Sequence, residues 1–210
     1  MFYGHSNIKN IIFNKFDFSG TDTGWMFRGC SNLISLDLSK VDSSTVTDMP
    51  CMFQGYNKLI SLDLSNFDSS SAKEIGDLFN SCNNLISLDL SHFNTSSVTN
   101  MGHMFYGCSK LTSFDLCNFK ATFVNYMDYM FYSCSNLISL DLSNFDTSSV
   151  TKMDDMFSSY NDNLVYCIKI NSKTTQLLNH IYSWGPYIHH HINLNIIIKA
   201  LISALILIKK

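Results

Sequence analysis

The chain has 210 residues, 46% of them hydrophobic and 13% aromatic, which is ample material for a core and argues against disorder. Its net charge of -3 is unevenly spread: all 17 acidic residues lie at or before Asp162 against nine basic ones, so that part carries -8 and the remainder +5. A body this acidic speaks against nucleic acid as a partner, because phosphate binding needs clustered Lys and Arg on one face.

The chain opens MFYGHSNIKN, with no basic, apolar and small-residue segments in the order of a secretory leader, which taken literally places it in the cytoplasm. Yet Met1-Phe2-Tyr3-Gly4 matches Met104-Phe105-Tyr106-Gly107, so the opening reads as the start of a repeat unit and the chain as a fragment or truncated copy. The pairs Met1-Phe2, Met26-Phe27, Met52-Phe53, Leu78-Phe79, Met104-Phe105, Met130-Phe131 and Met156-Phe157 recur at intervals of 25 and then 26 residues. A period of that size marks a stack of like units, none of which can bury its apolar face alone.

Within each unit the stretch Asn-Leu-Ile-Ser-Leu-Asp-Leu-Ser stands at 32–39, 84–91 and 136–143, with close variants at 58–65 and 110–117. Leu36 and Leu38 alternate with Ser35, Asp37 and Ser39, the period of a strand with one buried and one wet face. The next apolar set, Val46, Met49, Met52 and Phe53, recurs at Val98 and at Val150 with the spacing of one side of a helical turn. The tracts between them, rich in Asp, Ser and Thr, offer side-chain oxygens that would cap a helix start. The predicted architecture is an α/β repeat solenoid, a leucine-rich-repeat-like stack of strand, turn and short helix or 3₁₀ units with a parallel sheet. It would occupy residues 1–166 as about six and a half repeats, followed by a non-repeat segment over 167–210.

The unit L-x-x-L-D-L-S-x-F-[DN]-[ST]-S-x-V-T-x-M-x-x-M-F-x-x-C resembles the 26-residue repeat of BspA-like leucine-rich-repeat surface proteins and lipoproteins of bacteria. The resemblance implies a surface-exposed or secreted, non-enzymatic solenoid engaged in adhesion or host contact. Its partner would be a protein or a host-surface macromolecule. The chain carries neither a lipoprotein leader nor an LPXTG-type anchor, so an intracellular protein-protein scaffold and a truncated, non-functional fragment stand as alternatives.

Residues that could carry chemistry are few. Cys30, Cys82, Cys108 and Cys134 share one repeat position with His5, Tyr56 and Tyr160, which suits a packing slot better than a disulfide. No C-x-x-C or C-x-x-H pair exists, so no metal site or cofactor is predicted. The row Asp37, Asp63, Asp89, Asp115 and Asp141 reads as a solvated stripe lined by hydroxyls, ahead of a calcium ladder, since Ca²⁺ wants oxygens from loops that wrap it. Five equivalent carboxylates also give no pair distinct environments for acid and base work. Asp22-Thr23-Gly24 matches the aspartic-protease signature without a second copy. Asn94-Thr95-Ser96 is a lone glycosylation sequon. No nucleophile elbow, P-loop, zincin or dinucleotide motif is present.

Specificity should lie where the units differ, around the second Met and just after Met-Phe. There Tyr106, Tyr126, Tyr129 and Tyr132 cluster by register, and they are the candidate binding residues. Clustered Tyr is favoured at interfaces, though covering the core edge would explain some of them equally well.

In the tail, Trp184-Gly185-Pro186 signals a turn and His189-His190-His191 reads as a solvated loop. The apolar run Ile196 to Ile208, 13 residues, falls short of the roughly 20 that span a bilayer. A helix capping the last coil is the preferred reading of 192–208, with a membrane anchor and a non-native tail as alternatives.

Overall fold

The computed structural model describes residues 1–157, apart from 114, 117, 138 and 143, together with the backbone of 167–169. The predicted tail cap, the anchor alternative and the His189-His190-His191 loop lie outside the described residues. The described part is a coil wound in rungs, built of short parallel strands and turns. The predicted α/β stack with short helices is overturned: among the described residues there is no helix, and the strands pair two by two.

One strand column follows the Ser-Leu-Asp marks. It comprises β1 (Asn10–Ile12), β3 (Ser35–Asp37), β5 (Ser61–Asp63), β6 (Ser87–Asp89), β7 (Ser139–Asp141) and β8 (Cys167–Lys169). A second, shorter column holds β2 (Phe16–Asp17) and β4 (Val41–Asp42). Pairing is parallel between β1 and β3, β2 and β4, β5 and β6, and β7 and β8, and it sets Leu62 opposite Leu88 and Asp63 opposite Asp89. The alternation predicted from sequence holds: Leu36, Leu62 and Leu88 face inward and their Ser and Asp neighbours face water. A third column is a ladder of single parallel bridges, Asp48 to Glu74 to Asn100 to Tyr126 to Lys152.

The segment expected to be helical shows why it is not. Met49 N–H donates to Glu74 C=O (2.9 Å), Cys51 to Gly76 (3.0 Å), Phe53 to Leu78 (3.0 Å) and Gly55 to Asn80 (2.8 Å), so every second amide reaches the next rung. The amides of Met52 and Gln54 close three-residue turns back to Met49 and Cys51. A helix would instead spend all of these donors on carbonyls four residues back. The alternation is made possible by a left-handed residue in each rung: Trp25, Cys51, Asp77, His103, Tyr129 and Asp155 have φ between 50° and 60°. Such a conformation in a non-glycine residue breaks a right-handed helix. Stacking identical rungs offsets that strain, because each rung presents a carbonyl in register for the next.

The apolar faces meet as predicted, without the helix. Val46, Met49, Met52 and Phe53 are all buried. The rings of Phe2, Phe27, Phe53, Phe79, Phe105, Phe131 and Phe157 stack in one file with centroids 5.4–6.1 Å apart and planes within 13° of parallel. A second file runs Phe93, Phe119, Phe145.

The Asp/Ser/Thr tracts also do something other than cap helices. Asp42, Asp68, Asn94 and Asp146 accept the N–H two residues on, each closing a turn at 2.9–3.1 Å. Ser43, Ser69 and Thr95 are buried, and their hydroxyls accept the amides of Asp68, Asn94 and Lys120 in the next rung at 2.7–2.8 Å. The hydroxyl column thus fastens rung to rung at a corner where no strand pairs.

Candidate functional site

The cysteine slot is a packing slot. Cys30, Cys82, Cys108 and Cys134 are free and buried. The thiols of Cys82, Cys108 and Cys134 donate to the carbonyls of Phe53, Phe79 and Phe105, one rung back, at 3.1–3.2 Å. Burial pushes the thiols of Cys82 and Cys134 up to about 12, and that of Cys108 well above the ordinary range, so these sulfurs are held as poor nucleophiles. Tyr56 fills the same slot, its ring buried against Phe53.

Three carboxylates of the aspartate row are spent on turns. Asp37, Asp63 and Asp89 are exposed, and each accepts the N–H of Ser39, Ser65 or Ser91 at 2.9 Å. The Ser39 hydroxyl and amide hold the Asp37 carboxyl below its usual range, and the Ser65 and Ser91 amides and hydroxyls do the same for Asp63 and Asp89. Among the described residues no group of three or more His, Cys, Asp or Glu is placed to hold a metal ion. Asp22 of the protease-like tripeptide likewise accepts the Gly24 amide at 3.0 Å, while buried Thr23 donates to the Asp48 carbonyl at 2.6 Å. Asn94 of the sequon is exposed, with its side-chain oxygen engaged by the Ser96 amide at 2.9 Å.

The variable edge is different in kind. Three of the four predicted tyrosines come together, and His103, which sequence reasoning passed over as a site residue, completes the group. Tyr129 and His103 occupy the left-handed column, while Tyr106 and Tyr132 occupy the column that follows Met-Phe. His103 stacks on Tyr129 with centroids 4.9 Å apart, and Tyr106 stacks on Tyr132 at 4.9 Å. Cross contacts of 5.9 Å (His103 to Tyr106) and 5.6 Å (Tyr129 to Tyr132) join the two stacks into a four-ring block. All four residues are half-buried, with one side packed on the coil and the other in water. Tyr126 is 47% exposed and sits in the neighbouring bridge column between Asn100 and Lys152. It flanks the block, and its ring is not part of the stacks.

A carboxylate is wedged beside the rings. Asp128 is 8% exposed and packs over Gly102, where a Cβ would lie 3.2 Å from its Oδ1. Its Oδ2 lies 3.7 Å from Nδ1 of His103 and 3.8 Å from Nζ of Lys152. The Tyr129 phenol donates to the Asp155 carboxylate, and that bond, with the negative charges of Asp155, Asp154 and Asp128, raises its pKa. His103 was findable from sequence by register, since it stands one repeat before Tyr129. The arrangement can bind: it offers ring edges, phenols and carboxylates on a rigid support.

No curated protein and no solved structure matches the chain. The family described as Mycoplasma protein of unknown function, DUF285, matches it over residues 1–87, 21–137 and 57–169, three overlapping stretches that follow the repeat. Those stretches run from the first residue into the last described strand, so the chain is a repeat protein that belongs to the DUF285 family.

Proposed function

We propose that this repeat protein is a binding module for a macromolecular partner, that it has no catalytic role, and that contact is made through the variable edge around Tyr106, Tyr126, Tyr129 and Tyr132. The observation that carries this reading is the four-ring block: His103, Tyr106, Tyr129 and Tyr132 pack on one another yet keep one side in water. Aromatic side chains with few rotatable bonds, held by their neighbours, lose little entropy when a partner covers them. The Ser/Asp strand face offers the same residues on rung after rung, and its Asp37, Asp63 and Asp89 carboxylates are already committed to their own turns. Display at the cell surface is the location we propose with it, in keeping with the resemblance to bacterial surface repeats, and an intracellular scaffold is the rival. Protease shaving of intact cells separates the two.

The site itself is tested by comparison. With a partner isolated by pulldown, Tyr126→Ala combined with Tyr129→Ala is expected to weaken binding by about 2 kcal/mol or more, as at a hot spot, and Asp63→Asn combined with Asp89→Asn by near zero. Both variants should melt as the parent does. The opposite ranking would move the functional surface to the strand face.

A further inference from the structure

We propose that the strand face is a self-contact, at which two copies of the chain meet across a two-fold axis running along the coil, with the row Ile34, Ile60 and Ile86 of each packed on that of the other. This goes beyond the binding reading, which concerns the tyrosine edge. The first support is the row itself. Ile34, Ile60 and Ile86 stand just before the Ser-Leu-Asp marks of three successive rungs and are 57%, 58% and 49% exposed. The Ile34 amide donates to the Lys9 carbonyl at 2.7 Å and the Ile86 amide to that of Ile60 at 2.9 Å, so the row keeps the spacing of the rungs. The coil does not require isoleucine there, since Lys9 and exposed Thr112 take the same position. An apolar stripe that stays in water rung after rung, where the fold has no need of it, is a surface for a partner to cover.

The second support is charge, and it selects a second copy as the occupant. The repeat body carries -8, so two copies repel one another over most of their surface, and anionic lipid headgroups repel it too. Along the strand columns the charge is balanced, because Lys9, Lys40, Lys58 and Lys110 stand in or beside them and offset the exposed aspartates of the row, from Asp37 to Asp115. Along the chain, exposed Lys58 precedes Ile60 and exposed Asp63 follows it. A two-fold axis along the coil reverses direction across the rung and keeps it along the stack. It therefore lays the Lys58 side of one copy over the Asp63 side of the other, in the same rung, with Ile60 on Ile60 between them. Asp63 stays charged while it closes its turn, since the Ser65 amide and hydroxyl hold its carboxyl below the usual range. The contact uses that charge and needs no spare hydrogen bond. Three half-exposed isoleucines supply only part of the roughly 800 Å² per partner of a stable complex, so the association is a weak one.

The test is sedimentation equilibrium of the full chain from about 1 μM to about 1 mM, the span in which a small interface associates. The parent should pass from monomer to dimer. Ile60→Asp sets two carboxylates against each other at the centre of the contact and should weaken association at least about tenfold. Phe123→Asp, on a ring that is 61% exposed in a different column, should leave it within about twofold, as for a charge outside the interface. Lys58→Asp and Asp63→Lys should each weaken self-association, and an equimolar mixture of the two should dimerise more tightly than either alone, because the mixed pair restores both Lys-Asp contacts. Lysine is tolerated in that column, where Lys169 pairs with Asp141. In dilute solution every variant should melt with its parent; if Asp63→Lys does not, Ile60→Asp against Phe123→Asp still decides. A chain that stays monomeric, association indifferent to Ile60→Asp, or a mixture of folded charge variants that gains nothing would each overturn the proposal. So would a monomeric chain that sediments with phosphatidylcholine vesicles and loses them with Ile60→Asp, which would give the row to lipid.

Discussion

Leu88→Asp is expected to lower the stability of the coil by about 3–5 kcal/mol, the range for an uncompensated buried charge. Leu88 is 6% exposed and pairs in register with Leu62, so the new carboxylate would be buried against a leucine column. Each rung is held chiefly by its neighbours, so the damage should spread to the adjoining rungs and appear as a lower melting temperature of the whole transition. The control is Ile86→Asp, two residues earlier on a side chain that is 49% exposed, where the change should be small. A Leu88→Asp chain that melts with its parent would remove the assignment of inward and outward strand faces.

Phe105→Ala should cost a similar amount, about 3–5 kcal/mol, for a different reason. The ring is fully buried between those of Phe79 and Phe131, each 5.6 Å away and nearly parallel. Its loss leaves a ring-sized void that the neighbours cannot fill, since both are fixed in the same file by the rungs beyond them. Urea unfolding with an unchanged slope and a lower midpoint would register the loss. Phe123→Ala, on a ring that is 61% exposed, should be nearly neutral. Equal effects at the two positions would mean that the file of rings is not the core.

These two sites also mark what could be read from the sequence and what could not. The period, the inward Leu column and the burial of Val46, Met49, Met52 and Phe53 were legible, because burial is written in which positions stay apolar from unit to unit. The conformation that achieves the burial was not. A spacing of three, six and seven suits one side of a helix, and it equally suits a run of tight turns whose alternate amides pair with the next rung. The discriminating signal was present in the residues between the two methionines. Pro50 would sit in the middle of the supposed helix, with Gly76 and Gly102 at the same register, all poor helix residues. In the coil that position gives no amide to the next rung, whereas its neighbours on both sides do, so proline is tolerated there.

The candidate site was legible by half. Register alone placed Tyr106, Tyr129 and Tyr132 near one another, because equal positions in successive units must stack. It also separates Tyr126, which shares its position with Asn100 and Lys152, and sets His103 one repeat before Tyr129, but it could not show which of these rings touch. It also gave no hint that Asp128 would be nearly buried, since that burial depends on the missing Cβ of Gly102 one rung away. The solvated aspartate row was legible as well, and the structure adds what Asp37, Asp63 and Asp89 do there: each of these carboxylates closes a turn of the coil.

Backbone amides between the strands bond from rung to rung of the coil, and NMR couplings transmitted through hydrogen bonds observe this directly. The His103 amide should couple to the carbonyl carbon of Asp128, and the Phe105 amide to that of Met130, because these bonds are 2.8 and 2.9 Å long. Coupling of His103 to Thr99 and of Phe105 to Met101, each four residues back, would instead show a helix in every unit and contradict the account.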